Sequence, residues 1–460
     1  MPTPHEYAAQ HRQQFLDQLQ DLLRIPSVSA DRTHHAQDVQ RAAEWLMNDM
    51  RRMGLDQVER FDIDDHHPII YAEWLGAGAD APTVLIYGHY DVQPAAMEDG
   101  WHTDPFTPTI DGDKLYARGA SDDKGQMFAQ LKAVEALLAT DSCPVNVKLL
   151  VEGEEEVSSG GLAKFVPANT DKLAADVCVI SDTAILAKDQ PSIVYALRGL
   201  TYMELEVFGP RSDLHSGSYG GVIHNPVQAI AEIISALHDA NGKVTVPGFY
   251  DDVLPLDEAE REKLKDVELS EEHLKAMTGV PQAYGEPGYT LTERIGARPT
   301  LEIHGIGGGF YAEGAKTVLP SRALAKLSCR LVANQDPTKI FDLVRDHILS
   351  LTPPTVRADV RRVTDDGLPA LVDLNDPALE AAVAAYEQGW GTAPKYVRGG
   401  GSIPIVAEFQ SLLGLPVILL GFGLNTDGIH GPNEHFHISM FNKGIDTAIY
   451  FMQEVAGRVE

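Results

Sequence analysis

Cysteine is scarce in this chain: Cys143, Cys178 and Cys329 are the only three among 460 residues. They are too few and too dispersed for a disulfide framework. Two of them lie in apolar runs, so they read as small buried hydrophobes. Basic residues are also short. Lys and Arg total 37 against 67 Asp and Glu, for a net charge of −30. That balance argues against a nucleic-acid partner, which needs a basic footprint, and against an anionic membrane surface. Most of the charge reads as a solvated exterior. No apolar run approaches the ~20 residues that span a bilayer. The opening segment MPTPHEYAAQHRQQFLDQLQ lacks the apolar core of a signal peptide, which predicts a cytoplasmic protein. There is no internal repeat and no low-complexity tract. The glycine-rich stretches at Gly305 to Gly309 and Gly399 to Gly401 lack the Lys-Ser/Thr of a phosphate loop. The first is expected to allow close backbone approach.

What remains is an acidic chain, long enough for two domains, whose pattern changes character along its length. Up to about residue 195, helical periodicity (5–24, 35–53, 125–138) alternates with strand-like apolar runs at 69–74, 83–87, 145–151 and 177–180. This alternation predicts an α/β sheet with helices on its faces. Between about 198 and 368 the order is different: a strand at 202–207, a helix at 226–239, a charged irregular stretch at 251–296, a strand at 323–332, a helix at 337–351 and a strand at 356–363. That order suits a small α+β domain. The α/β pattern then resumes, with helices at 377–387, 404–413 and 440–457 and a strand at 416–420. The second domain therefore reads as an insertion into the first.

Five acidic or histidine clusters border these apolar runs: His89-Tyr90-Asp91, Asp122-Asp123, Glu154-Glu155-Glu156, Ser181-Asp182 and His430-Gly431-Pro432-Asn433-Glu434. Open α/β sheets place ligands beyond the carboxyl ends of their strands, and His89, Glu155 and Asp182 fall at such ends. In an extended segment residues i and i+2 share a side, so Asp91 can support a metal-binding His89 ring from behind. Asp122 and Asp123 suit a helix start, and one carboxylate there could bridge two metals. In the glutamate run, adjacent residues can divide labour, Glu156 as a ligand and Glu155 as a general base. Each cluster alone has a plain structural reading as helix cap, charge run or loop. Jointly they offer nitrogen and oxygen donors without thiolate, which suits Zn, Mn or Co.

The strings Tyr-Gly-His-Tyr-Asp-Val-Gln-Pro (87–94), Arg-Gly-Ala-Ser-Asp-Asp-Lys-Gly (118–125), Glu152 to Glu156, Ile180-Ser181-Asp182 and His430 to Glu434, in that order, resemble the carnosinase-type metallodipeptidases. Those belong to the aminoacylase/succinyl-diaminopimelate desuccinylase superfamily of two-metal peptidases. The resemblance runs from Leu22-Leu23-Arg24-Ile25-Pro26 to Glu434. It implies a phosphorylase/hydrolase-like three-layer α/β catalytic domain, residues 1–197 and 369–460, with an inserted α+β, ferredoxin-like lid and dimerisation domain at 198–368. It implies two divalent ions, zinc first and Mn or Co next: one held by His89 and Asp182, the other by Glu156 and His430, with Asp122 bridging. Glu155 would be the base that activates a water between them, Asp91 would orient His89, and the peptide after Asp122 would be cis. His215, in Ser212 to Gly217, would reach a neighbouring subunit's site and stabilise the oxyanion. Thr317 and Arg330 would bind a substrate carboxylate, and Gly401 and Ser402 would form a substrate-binding turn.

Two positions depart from the animal dipeptidases. Gly399 stands where some have glutamate, and Asp365-Asp366-Gly367 stands where they have a histidine. The expected reaction is hydrolysis of a dipeptide with a free C-terminal carboxylate by a homodimer. An N-acyl-amino-acid or succinyl-diamino-acid amidohydrolase with the same metals is the nearest alternative, and a catalytically silent binding protein is a further one.

Overall fold

The computed structural model describes every residue except Asp365, Gly401, Ser402 and Glu460, so the expected turn at Gly401 and Ser402 lies outside the described residues. The chain forms two compact units, one comprising Met1–Tyr195, Val372–Tyr396 and Phe409–Glu460, the other Ala196–Leu371 and Val397–Glu408. Val397–Glu408, which the sequence pattern assigns to the first unit, groups with the second. Among the described residues no helix is long and apolar enough to cross a membrane.

The first unit is organised by four parallel strands. Thr83–His89 pairs with Asn146–Glu152 on one side and with Val177–Ile180 on the other, and Val177–Ile180 pairs with Val417–Leu419. Three of the four are buried along their whole length, and Thr83–His89 from its second residue onward. That is why they read as unbroken apolar runs rather than as alternating ones. Antiparallel strands flank them: Ile69–Trp74 and then Asp56–Phe61 beyond Asn146–Glu152, and the start of Ser192–Leu197 beyond Val417–Leu419. Asp56–Phe61 is a polar edge strand, half-buried apart from its two exposed first residues, with a register shift, and has no apolar pattern to find.

Helix Lys124–Ala139 packs on Thr83–His89 and is buried from Lys124 to Leu137. It is in turn covered by Pro4–Leu23 and Ile438–Arg458. Its tight entry explains two glycines. A Cβ on Gly125 would stand 1.9 Å from the Ala120 carbonyl oxygen, and one on Gly88 would stand 2.5 Å from Met127 Cγ. Both lie where the Asp122 turn and the His89 strand approach each other.

The second unit runs strand Gly199–Phe208, helix Pro226–Ala236, strands Thr300–Gly308 and Arg322–Leu331, helix Pro337–Leu351, strand Arg357–Arg362. Its antiparallel sheet has the order Thr300–Gly308, Arg322–Leu331, Gly199–Phe208, Arg357–Arg362, a β-α-β-β-α-β arrangement of ferredoxin-like type. Inward residues such as Met203, Leu205, Val207, Leu327 and Cys329 meet Ile230, Ile233, Val344 and Ile348 of the two helices. Each fully buried Leu, Ile or Val contributes about 1.5–3 kcal/mol relative to exposure. The glycine stretch at Gly305 to Gly309, expected to allow close backbone approach, does so at Gly308, where a Cβ would stand 3.1 Å from Ala323 Cα. Most of the stretch also belongs to the edge strand Thr300–Gly308, with a bulge between Ile303 and Gly305. Glycine depresses strand propensity, so pairing with Arg322–Leu331 rather than local preference makes this strand.

Candidate active site

The parallel strands deliver their last residues to one end of the sheet, because the register sets His89 opposite Glu152 and Leu419 opposite Ile180. Asp182 follows Ile180 by two residues, and Glu155 and Glu156 form a short 3-10 turn after Asn146–Glu152. Asp122 lies just ahead of helix Lys124–Ala139, and the peptide joining it to Asp123 is cis.

Two groups of donors form there and share Asp122. In the first, His89 Nε2 stands 3.2 Å from Asp122 Oδ1 and 3.8 Å from Asp182 Oδ2. In the second, His430 Nε2 stands 2.9 Å from Asp122 Oδ2 and 3.2 Å from Glu156 Oε2. Within each group the ligand-capable atoms lie within 4.8 Å of one another. The two oxygens of one carboxylate thus face the two histidines separately.

Asp91 does more than back the His89 ring. It is fully buried, and its Oδ1 lies 3.3 Å from His89 Nδ1. The same carboxylate accepts from the backbone N–H of Glu155 and of Glu156, each at 3.1 Å. It therefore ties the ring of one group to the backbone of the other. The acidic run Glu152 to Glu156 divides by partner. Glu152 accepts from Tyr87 (2.6 Å) and Ser159 (2.8 Å), and Glu154 pairs with Arg32 and with His66 at 2.8 Å. Glu156 also accepts from Gln93 Nε2 at 2.7 Å. Glu155 is left as the member of the run whose carboxylate has neither a salt-bridge nor a hydrogen-bond partner among the described residues.

Burial pushes the Glu155 carboxyl up to about 7. His89 opposes this shift, and Glu156, Asp91 and Asp122 add to it by repulsion. Burial raises Asp182 well above the usual carboxylate range, reinforced by Asp122 and Asp123. Asp122 is held below that range: burial opposes the shift, but hydrogen bonds from His430 and His89 outweigh it. Among the described residues no Lys or Arg pairs with Asp122, Glu156 or Asp182. Buried carboxylates that repel one another, with only imidazole to offset them, are what a pair of divalent cations resolves. The donor set, carboxylate oxygen and imidazole nitrogen in two groups around one shared aspartate, fits such ions.

Glu434 was legible only as the end of a motif, without a role. It is fully buried and accepts from Arg118 Nη1 (2.7 Å) and from the backbone N–H of Gly119 (2.9 Å), Ser121 (2.9 Å) and Asp122 (3.0 Å). It thereby fixes the turn that presents Asp122. Only the tertiary structure makes this visible, since Glu434 and Asp122 are separated by 312 residues.

The remaining expected site residues belong to the second unit. His215 is exposed, and its Nδ1 accepts from Gly217 N at 3.0 Å. Thr317 is exposed, and Arg330 is half-buried on strand Arg322–Leu331 opposite Leu200 and Thr300. Sequence reasoning missed Arg198. Burial and the positive Arg330 push its guanidinium down to about 10, and its Nε donates to the Gly400 carbonyl at 3.2 Å. Glu302 opposes this shift. Gly399 and Gly400 lie in this unit, and the other departure includes Asp365, outside the described residues.

Comparison with known proteins places this geometry in context. The profile described as Peptidase family M20/M25/M40 matches residues 85–454. The Cys-Gly metallodipeptidase of Schizosaccharomyces pombe is 35% identical over 470 residues, covering 98% of this chain and 98% of that protein. The Beta-Ala-His dipeptidase of Homo sapiens is 34% identical, covering 95% of this chain and 85% of that protein. The crystal structure of the M20 family metallo-carboxypeptidase Sso-CP2 from Sulfolobus solfataricus superposes with a TM-score of 0.80 at 34% identity, covering 96% of this chain and 99% of that one.

Proposed function

Since this chain belongs to peptidase family M20/M25/M40 and is a metallodipeptidase, we propose that it hydrolyses dipeptides bearing a free C-terminal carboxylate at the Asp122 site, with Glu155 as the general base. The observation that carries this reading is the pair of donor groups sharing Asp122, beside a buried glutamate whose carboxylate lacks a partner. His89 and Asp182 would hold one divalent ion, Glu156 and His430 the other, and Asp122 both. Zinc is the first choice for this donor set, with Mn or Co as alternatives. When bound, such ions polarise the scissile carbonyl and lower the pKa of a water.

The chain's own residues supply the rest. Glu155 takes a proton from the water as its oxygen attacks the carbonyl carbon. It returns that proton to the nitrogen as the C–N bond breaks, which releases an amine and a carboxylate. Its carboxylate, with no salt-bridge or hydrogen-bond partner among the described residues, is available for both transfers. Asp91 holds the Glu155 backbone and the His89 ring at once, so base and ligand keep a fixed relation. The second unit acts as lid and dimerisation domain. Arg330, with Arg198 adding positive potential, grips the substrate carboxylate, and Thr317 adds a hydrogen bond. His215 donates to the developing oxyanion in the partner subunit's site. The cytoplasm is the expected compartment.

A panel of dipeptides, their C-terminal amides, longer peptides and N-acyl amino acids, assayed with added Zn or Mn, tests the substrate reading. Dipeptides should be cleaved best and the amides poorly. Arg330→Ala should lower kcat/KM for dipeptides about ten- to a hundredfold, the worth of a charged hydrogen bond, and barely change it for the amides. The likeness to a metallo-carboxypeptidase favours one second reading, in which longer peptides are trimmed from the C-terminus. Faster cleavage of the longer peptides would select it, and turnover of N-acyl amino acids alone would point to an amidohydrolase.

Subunit complementation tests the role of His215. His215→Ala and Glu155→Gln should each be nearly inactive alone. Mixed and reassembled, they should regain about a quarter of wild-type activity, because half the dimers are mixed and each has one intact site. Should mixing restore nothing, His215 does not act across a dimer.

A further inference from the structure

Asp427, His435 and His437, none of them in the ligand set above, bring one ligand-capable atom each to within 4.8 Å of one another. All three belong to the first unit. Asp427 is fully buried. Its Oδ2 accepts from Ser121 Oγ at 3.0 Å and from Leu424 N at 2.8 Å, while its Oδ1 has no hydrogen-bond partner. His435 is 7% exposed. Its Nδ1 lies 3.0 Å from the Asn433 carbonyl oxygen, which fixes a ring proton there and, in the neutral ring, leaves Nε2 as a lone pair. That Nε2 is also buried without a hydrogen-bond partner, 3.8 Å from Asp427 Oδ1. His437 Nδ1 stands 3.2 Å from Asp113 Oδ2, which orients the second ring in the same way and leaves its Nε2 available.

Two buried acceptors therefore face each other with no donor between them, at a separation too long for a shared proton. Such an arrangement is costly unless a cation lies between them. Each imidazole is already oriented through its other nitrogen by a carbonyl or a carboxylate, as metal-ligating histidines are. We infer that Asp427, His435 and His437 bind a further divalent cation of zinc type, separate from the ions at Asp122. The ion would join the two ends of the loop from Asp427 to His435, which the backbone already closes through His435 N to Asp427 O at 2.9 Å. Both His430 and Glu434 are carried by that loop, so the site would act as a staple for it and take no part in the reaction.

The test uses the full chain, dialysed against Zn2+ and then against metal-free buffer, with zinc per chain measured by mass spectrometry. Wild type should retain three ions, and His435→Gln and His437→Gln should each retain two. Equal zinc content in wild type and both variants would overturn the proposal. Zinc-edge anomalous diffraction from wild-type crystals avoids reliance on variants that could misfold. It should show a peak about 2.0–2.2 Å from His435 Nε2 and Asp427 Oδ1. A water, or no density, at that point while the Asp122 group carries zinc would equally sink the idea.

Discussion

Glu155→Gln should lower kcat by about 10²- to 10⁴-fold, the usual worth of a positioned general base, while both ions at the Asp122 site are retained. Glutamine keeps the shape of the side chain but cannot accept and return a proton. The substitution leaves untouched the bond from the Glu155 backbone to Asp91, so the turn that also presents Glu156 should persist. Steady-state kinetics and metal analysis of the same preparation check both halves. Loss of an ion would make Glu155 a ligand rather than the base, and near-normal turnover would remove it from the chemistry. The expectation rests on partners as well as on location. Its neighbours Glu152, Glu154 and Glu156 are each engaged by other side chains, whereas Glu155 is available.

The second large effect is expected at a residue outside the ligand set. Glu434→Ala would leave Nη1 of the buried Arg118 and the N–H groups of Gly119, Ser121 and Asp122 without their acceptor. Removing one partner of a buried, hydrogen-bonded ion pair costs about 3–5 kcal/mol, so the urea midpoint should fall clearly. The Asp122 turn would also lose its anchor, and metal affinity should fall about 10- to 100-fold, as for other residues that orient ligands from behind. Glu434→Gln separates the two consequences. It preserves volume, but its amide N–H2 opposes backbone N–H donors where an oxygen now accepts, so metal affinity should still fall. If Glu434→Gln unfolds and binds Zn2+ like wild type, Glu434 does not position Asp122.

Much of the candidate site was legible along the chain because three of the expected ligands lie at the ends of strands with their own signature. His89, Glu156 and Asp182 follow buried strands, and such strands announce themselves as apolar runs. Less legible were the features whose partners are distant. The glutamate run gave no local reason to prefer one member over another, because the choice depends on Tyr87, Arg32, His66 and Gln93 lying nearby. Arg198 could not be separated from any other arginine without the fold, which partly buries it and sets Arg330 opposite Leu200, two residues further on. The strand Thr300–Gly308 was hidden by its glycines, since long-range pairing made it against local preference.

Composition and order were enough to predict an acidic two-domain α/β chain with one domain inserted in the other, and to mark five clusters of candidate metal ligands, among which the family resemblance chose one ligand each. Periodicity and residue chemistry are local properties, and a linear reading captures them. The tertiary structure alone decided that Asp91 serves His89, Glu155 and Glu156 together, that Glu434 anchors the Asp122 turn, and that Asp427 faces His435. Each of these is a hydrogen-bonding or electrostatic relation between segments far apart in sequence. Such relations depend on distances of about 3 Å, and only the folded chain sets those.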